Sequence, residues 1–241
     1  MTARMIDVRR ADDRFHTSGG WLESHHSFSF ARHWDDANTH HGLLLVSNDD
    51  RVRAGSGFST HPHRDMEIVT WVLDGQLEHK DTTDHHGLIY PGLAQKMTAG
   101  SGIFHSEINP SAYEDVHFVQ MWVVPDTESV APEYAQLDLN VELARGGLVP
   151  IASGRGHDAA IPIRQRDATL WGGRLQPGER VAVPDAPFGH VFVARGAVDL
   201  EGAGTLVEGD AVRLTGAGAP ALTVGPQGAE LLIWEMHASL G

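Results

Sequence analysis

Residues 55–75, GSGFSTHPHRDMEIVTWVLDG, carry two histidines, His61 and His63, shortly before a run of apolar and β-branched residues. On an extended strand the side chains at positions i and i+2 project from the same face, so these two imidazoles would point the same way. The run ends at Asp74 and Gly75, a pair that favours a tight turn between antiparallel strands. This stretch therefore predicts a β-hairpin that presents two imidazoles on one face.

A second stretch, PGLAQKMTAGSGIFHSEINP at positions 91–110, repeats the arrangement with His105 and Glu107 two residues apart. Two such pairs on neighbouring strands of a small β-barrel would converge on its interior. Three imidazoles and one carboxylate suit a divalent ion and leave coordination positions for water, dioxygen or substrate. Because the chain has 16 histidines, either pair alone arises easily by chance, and the hypothesis depends on finding both.

The rest of the chain consists mainly of short β-type runs separated by Gly, Pro and Asp. No stretch shows convincing helical periodicity, and we expect at most one short helix within 126–146. Frequent turn signals between short strands predict an all-β sandwich or barrel. The runs are GLLLVS (42–47), EIVTWVL (67–73), VHFVQMWVVP (116–125), ATLWGGRL (168–175), RVAVP (180–184), HVFVA (190–194) and AELLIWEM (229–236).

An internal repeat indicates two copies of one β-barrel unit. WVLDGQLEHK (71–80) resembles FVARGAVDLE (192–201), and PGLAQKMTAG resembles EGDAVRLTGA (208–217). The alternative is chance similarity among strands that glycines punctuate. The repeat predicts an N-terminal metal-binding domain over 1–135 and a C-terminal domain over 136–241.

The second copy lacks ligands for a metal. When the two copies are aligned on their glycines and threonines, residues that cannot coordinate an ion stand at all four ligand positions. The sequence therefore predicts one metal ion per chain. These residues are Ala182, Pro184, Leu222 and Val224.

Composition limits the classes of function. A formal charge of −14 disfavours a broad basic surface for nucleic acid or anionic lipid. The chain has no cysteine, which excludes disulfides and thiolate metal ligands. No apolar run approaches the roughly 18 residues that span a bilayer, and residues 1–15 lack the apolar segment of a secretory signal. We expect a cytoplasmic protein that contacts neither nucleic acid directly nor membrane.

The two histidine stretches, together with GGWLESHHSFSFARHW at 19–34, resemble the pirin family of the cupin superfamily. The resemblance is strong over about residues 10–125. It implies a bicupin fold, that is, two jelly-roll-like cupin β-barrels in one chain, with the metal in the N-terminal barrel. It implies Fe(II) first, with Ni, Cu, Mn, Co or Zn as alternatives. The implied metal ligands are His61, His63, His105 and Glu107.

The choice of carboxylate separates this family from other cupins. Those proteins take their carboxylate ligand from the first motif, where Glu67 stands, whereas pirins take it two residues after the last histidine, at Glu107. We favour Glu107 and assign Glu67 a hydrogen-bonding role near the site.

The resemblance also implies quercetin 2,3-dioxygenase activity, in which a flavonol and dioxygen react, the heterocycle opens and carbon monoxide is released. Glu107 would take the flavonol proton as the catalytic base. The first alternative is a metal-dependent, redox-responsive regulator that binds a protein partner without turnover. An isomerase or another cupin enzyme is the second.

The remaining histidines and aromatic residues receive simpler interpretations. The adjacent pairs at 25–26, 40–41 and 85–86 are expected in solvated loops. His79 and Asp81 are expected near the barrel mouth in structural or solvated roles. Four apolar residues are expected in the barrel core, namely Phe58, Phe104, Met121 and Trp122.

Overall fold

The structure, a computed structural model, describes residues 4–240 and consists almost entirely of β-strands. The one α-helix in this range is α1 (Asn140–Leu143), which agrees with the short helix expected there, and a 3₁₀ turn covers Ala11–Asp13. No helix among these residues is long and apolar enough to cross a membrane. The strands are β1 (Met5–Arg9), β2 (Phe15–Gly19), β3 (Leu22–His26), β4 (Leu44–Val52), β5 (Gly57–His63), β6 (Glu67–Asp74), β7 (Leu77–Asp81), β8 (His86–Ile89), β9 (Leu93–Thr98), β10 (Ile103–Ile108), β11 (Val116–Val123), β12 (Glu133–Asp138), β13 (Val149–Ser153), β14 (Ile161–Pro162), β15 (Ala168–Leu175), β16 (Arg180–Ala182), β17 (Phe188–Leu200), β18 (Gly204–Val207), β19 (Ala211–Thr215) and β20 (Ala221–Met236).

Two sheets form the N-terminal barrel. One has the strand order β12-β9-β6-β11-β4-β3-β2, and the other has the order β5-β10-β7-β8. Leu77 and Ile89 of the smaller sheet share a buried cluster with Val72 and Phe118 of the larger one. The predicted hairpin is wrong, because β5 and β7 belong to the smaller sheet and β6 to the larger one. The turn at Gly75, whose φ of 74° is a conformation that glycine adopts without strain, instead connects the two sheets between β6 and β7.

The C-terminal barrel is a nine-stranded sheet with the order β1-β19-β17-β20-β15-β13-β14, in which β16 also pairs with β20 and β18 with β17. The long strands β17 and β20 shift register at two bulges, which let a strand bend around a barrel. Valine and leucine side chains, including Leu222 and Val224, fill one buried cluster in this half.

The chain crosses between the barrels at two places that the repeat does not reveal. Strand β1 pairs with β19 and so extends the C-terminal sheet, whereas β12 pairs with β9 in the N-terminal barrel. The predicted boundary at 135/136 lies inside β12. The domain bounds themselves stay a prediction.

The barrels share a continuous apolar interface. One buried cluster joins Trp71 and Met121 of the first barrel to Trp234 of the second. Trp71 Nε1 donates a hydrogen bond of 2.9 Å to Glu230 across this interface. Because apolar side chains of both barrels are buried in this cluster, we expect the second barrel to stabilise the first.

Candidate metal centre

Three histidines meet inside the N-terminal barrel. His61 and His63 lie on β5, and antiparallel pairing sets His105 of β10 directly opposite His61. One nitrogen from each imidazole lies within 4.8 Å of one from each of the others. The i, i+2 spacing and the strand pairing together bring about this convergence.

The hydrogen bonds of these histidines leave their Nε2 atoms available. His61 Nδ1 lies 2.8 Å from the carbonyl oxygen of Ser59, to which it donates. His105 Nδ1 lies 3.4 Å from Nδ1 of His79. The Nε2 atoms of His63 and His105 are buried and have no hydrogen-bond partner. A buried polar atom without a partner is costly, and a metal ion would satisfy both.

Burial also keeps the imidazoles of His63 and His105 neutral. It lowers the pKa of His63 to about 4 and that of His105 to about 3. A neutral imidazole offers a lone pair to a metal, whereas a protonated one does not. The donor set therefore fits a divalent ion at neutral pH.

Glu107 lines the same cavity as His61 and His63, and its carboxylate is held by the opposite sheet. Gln120 Nε2 on β11 donates to both carboxylate oxygens, at 2.8 and 2.9 Å. Trp122 Nε1 donates to Gln120 Oε1 at 3.1 Å, which fixes the amide orientation. Glu107 lies in a second potential ligand group, with His105 and His79, and not in the three-histidine group.

A bulge and a glycine explain this placement of Glu107. The register between β10 and β5 shifts after His105, so that Glu107 stands opposite Phe58. A Cβ at Gly57, where φ is 157°, would lie 2.2 Å from the carbonyl oxygen of Glu107. Only glycine lets the two strands approach this closely.

A buried histidine–carboxylate pair is hydrogen-bonded to the Nδ1 atom of His105. His79 Nε2 donates to Asp81 at 3.1 Å, so its Nδ1 accepts a hydrogen bond from His105 Nδ1. Burial raises the pKa of Asp81, but hydrogen bonds from Thr83 and His79 outweigh it and lower the pKa to about 2. Such a chain fixes the tautomer of a metal-binding imidazole. Both side chains are buried, so the solvated role considered for them is wrong.

Glu67, the alternative carboxylate, lies elsewhere in the barrel. It accepts a hydrogen bond of 3.0 Å from Thr98 Oγ1, and Lys96 donates to the same hydroxyl at 2.7 Å. Burial raises the pKa of Glu67. It belongs to neither potential ligand group among residues 4–240. This geometry favours Glu107 as the carboxylate ligand, and the ligand set stays a prediction.

A cavity of about 300 Å³ opens beside the histidines. Phe58 and Trp122, which we expected in the core, line it. Phe104, expected in the core as well, is 51% exposed, whereas Met121 is buried as expected.

Two of the histidines that we expected in solvated loops are buried. His26 lies on β3 and lines the cavity, and His41 Nε2 lies 3.1 Å from the Leu214 carbonyl oxygen. The carbonyl can only accept, so His41 Nε2 is the donor. His25 and His26 are adjacent on β3 and face opposite sides of the sheet, so that His26 reaches the interior.

Comparison with known proteins agrees with this geometry. Residues 8–123 match the pirin family model, and residues 150–236 match that of the quercetinase C-terminal cupin domain. A Mycobacterium tuberculosis relative, provisionally named as a quercetin 2,3-dioxygenase, is 57% identical over 242 aligned residues, which cover 100% of this chain and 98% of that protein. An Escherichia coli protein named quercetin 2,3-dioxygenase is 46% identical over 200 residues, 82% of this chain and 85% of that protein.

The solved structures show the same relationship. The crystal structure of YhhW from Escherichia coli superposes with a TM-score of 0.90 at 32% identity, covering 98% of this chain and 100% of that one. The structure of the same bacterial pirin in complex with nickel(II) superposes with a TM-score of 0.89. The likeness extends over both barrels, as the bicupin prediction required. The chain belongs to the pirin family of cupin proteins.

Proposed function

We propose that this protein is a metal-dependent dioxygenase that cleaves flavonols such as quercetin, with one divalent metal ion per chain. Fe(II) is the first expectation for the ion, and Ni, Cu, Mn, Co and Zn are the alternatives, because imidazole and carboxylate ligands suit all of them. The proposed metal ligands are His61, His63, His105 and Glu107.

One observation carries the proposal. Buried, unpaired Nε2 atoms of His63 and His105 lie beside His61 at the end of an aromatic-walled cavity of about 300 Å³. That volume is at the lower end of the range for small-molecule sites. The names of the relatives from Escherichia coli and Mycobacterium tuberculosis point to the same chemistry.

When bound, the metal ion would supply open coordination positions for the adjacent oxygens of a flavonol and for dioxygen. Glu107 is the base in this scheme, and its carboxylate takes the proton of the flavonol hydroxyl. Gln120 holds that carboxylate through both oxygens, which keeps it oriented before substrate enters.

The aromatic residues of the cavity would bind the flat substrate. The Trp122 ring lies 4.9 Å from the His63 ring and 5.6 Å from that of Phe30, edge to face in both cases. Phe58 lies 6.3 Å from His61 on the other side. These rings provide apolar walls that exclude water from a planar aromatic ligand.

The test follows the loss of the flavonol absorption band and the release of carbon monoxide, in air and under anaerobiosis. We expect oxygen-dependent loss with metal-loaded protein, and none above the rate of free metal with His63→Ala. His25→Ala is a matched control, since His25 stacks on His16 and does not line the cavity. If metal-loaded wild type consumes flavonol no faster than free metal, the dioxygenase proposal fails and the regulator interpretation replaces it.

A further inference from the structure

The larger sheet presents an unusual polar surface to the cavity. Four side chains on β3 and β4 line it although each is at most 4% exposed. Inward-facing positions of a small barrel are normally apolar, because burying polar groups costs free energy unless they gain partners. We call these residues the polar wall: Ser24, His26, Asn48 and Asp50.

Strand pairing builds this wall. Ser24 stands opposite Asp50, and His26 stands opposite Asn48, in the register between β3 and β4. Asn48 in turn faces Gln120 on β11, the residue that holds the Glu107 carboxylate. The polar wall therefore continues directly from the proposed metal site.

Hydrogen bonds within the wall and to Thr17 satisfy most of its groups. His26 Nδ1 lies 2.9 Å from Asn48 Oδ1, an acceptor, so this nitrogen is the donor. His26 Nε2 then accepts from the Thr17 hydroxyl at 2.9 Å. Ser24 donates to the Asp50 carboxyl. Within residues 4–240 no second protein group donates to that carboxyl, although a carboxylate accepts several hydrogen bonds.

Aromatic rings connect the polar wall to the histidines. Phe30 stacks on His26 with ring centroids 5.1 Å apart, and it meets Trp122 edge to face. Trp122 in turn packs against His63. A flat ligand held by the metal at one end would thus lie between these apolar rings, in the cavity that Asp50 also lines.

We infer that Asp50 and Ser24 form a specificity-determining subsite for phenolic hydroxyl groups on the pendant phenyl ring of the substrate, away from its metal-chelating oxygens. The substrate class is then polyhydroxylated planar aromatics, with hydroxyl groups at both ends of the molecule. Asp50 accepts hydrogen bonds from the phenol, while Ser24 holds the carboxyl in place. This inference rests on the proposed function, because it takes the chelating end of the ligand to lie at the metal.

The experiment compares two flavonols in anaerobic titrations of metal-loaded protein, so that binding is measured without turnover. Quercetin has two hydroxyl groups on its pendant phenyl ring, and galangin has none. We expect wild type to bind quercetin roughly 10- to 100-fold more tightly, since a lost partner leaves a buried carboxyl unsatisfied. Asp50→Leu should bring the ratio of the two affinities close to one, mainly by weakening quercetin.

Two further variants keep the test decisive. Asp50→Asn retains an acceptor of the same shape and should retain most of the preference. Ser24→Ala should reduce the preference by several-fold. Near-ultraviolet circular dichroism and metal content show whether Asp50→Leu folds, and Ser24→Ala replaces it in the test if it does not. The inference is overturned if the ratio of the quercetin and galangin affinities is unchanged in Asp50→Leu, or in Ser24→Ala where it replaces that variant. A wild-type ratio near one overturns it as well. If wild type binds neither flavonol, the proposed function fails as well, whereas binding without discrimination contradicts the subsite alone.

Discussion

Replacement of Asp50 by asparagine should change how the stability of the protein depends on pH. Asp50 is buried, and this burial raises the pKa of its carboxyl from 3.8 to about 7. The charges of Asp49 and Glu107 contribute to this rise in the pKa, while Ser24 and Arg14 oppose it. A carboxyl whose pKa is higher in the folded state than in the unfolded state binds a proton on folding, so its contribution is complete below about pH 4 and is lost as pH rises through 7.

The magnitude follows from the pKa. Each pH unit between the two pKa values changes the free energy of unfolding by about 1.4 kcal/mol. Between pH 5 and pH 8 the group titrates over about two of these units, so the wild type should lose about 3 kcal/mol from this residue. Asp50→Asn has the same shape and no titrating proton, and it should not show this loss.

The assay is urea denaturation of metal-free wild type and Asp50→Asn at pH 5 and pH 8. Asp199→Asn is the control, because this residue is exposed. We expect Asp50→Asn to gain about 3 kcal/mol relative to wild type on going from pH 5 to pH 8, and Asp199→Asn to follow wild type. Parallel pH dependences for wild type and Asp50→Asn would refute the argument that burial raises the pKa of this carboxyl.

Three other predictions concern the metal and the interface. Glu107→Ala should lose stoichiometric metal while Glu67→Gln retains it, as elemental analysis would show; the opposite pattern would reverse our choice of carboxylate. His79→Asn should weaken metal affinity by roughly 10- to 100-fold, because His105 loses the group that fixes its tautomer. Replacement of the exposed His86 by Asn is the control. An equal loss of metal affinity in His86→Asn would contradict a specific role of His79. Trp71→Phe should lower the free energy of unfolding by about 1–2 kcal/mol through loss of a hydrogen bond between the barrels, with unchanged metal content; an unaffected urea midpoint would count against that contact.

The sequence predicted those parts of the site that depend on local spacing. The pairs His61–His63 and His105–Glu107 followed from strand alternation and from the resemblance to pirins. In the structure His61, His63 and Glu107 line one cavity, and His105 lies beside the other two histidines. Alternation also contains the signal for Gln120, a polar residue at an inward position of an apolar strand, but only the pairing of β11 with β4 shows what it faces.

Other features depend on contacts between residues distant in the chain. Ser24 and Asp50 are 26 residues apart, and only the β3–β4 register makes them partners. The addition of β1 to the C-terminal sheet likewise leaves no local trace, because an edge strand of either barrel has the same alternating pattern. His26 was assigned to a loop since adjacent histidines suggested solvent, whereas its strand buries it.

The most direct test of the central claim is a crystal structure of metal-loaded protein with diffraction measured at the absorption edge of the bound metal. We predict one anomalous peak per chain, about 2.0–2.2 Å from the Nε2 atoms of the three histidines and from a Glu107 oxygen. The metal ligands would then be His61, His63, His105 and Glu107. A peak at Glu67, a second peak inside the C-terminal barrel, or no peak among the three histidines would contradict the account.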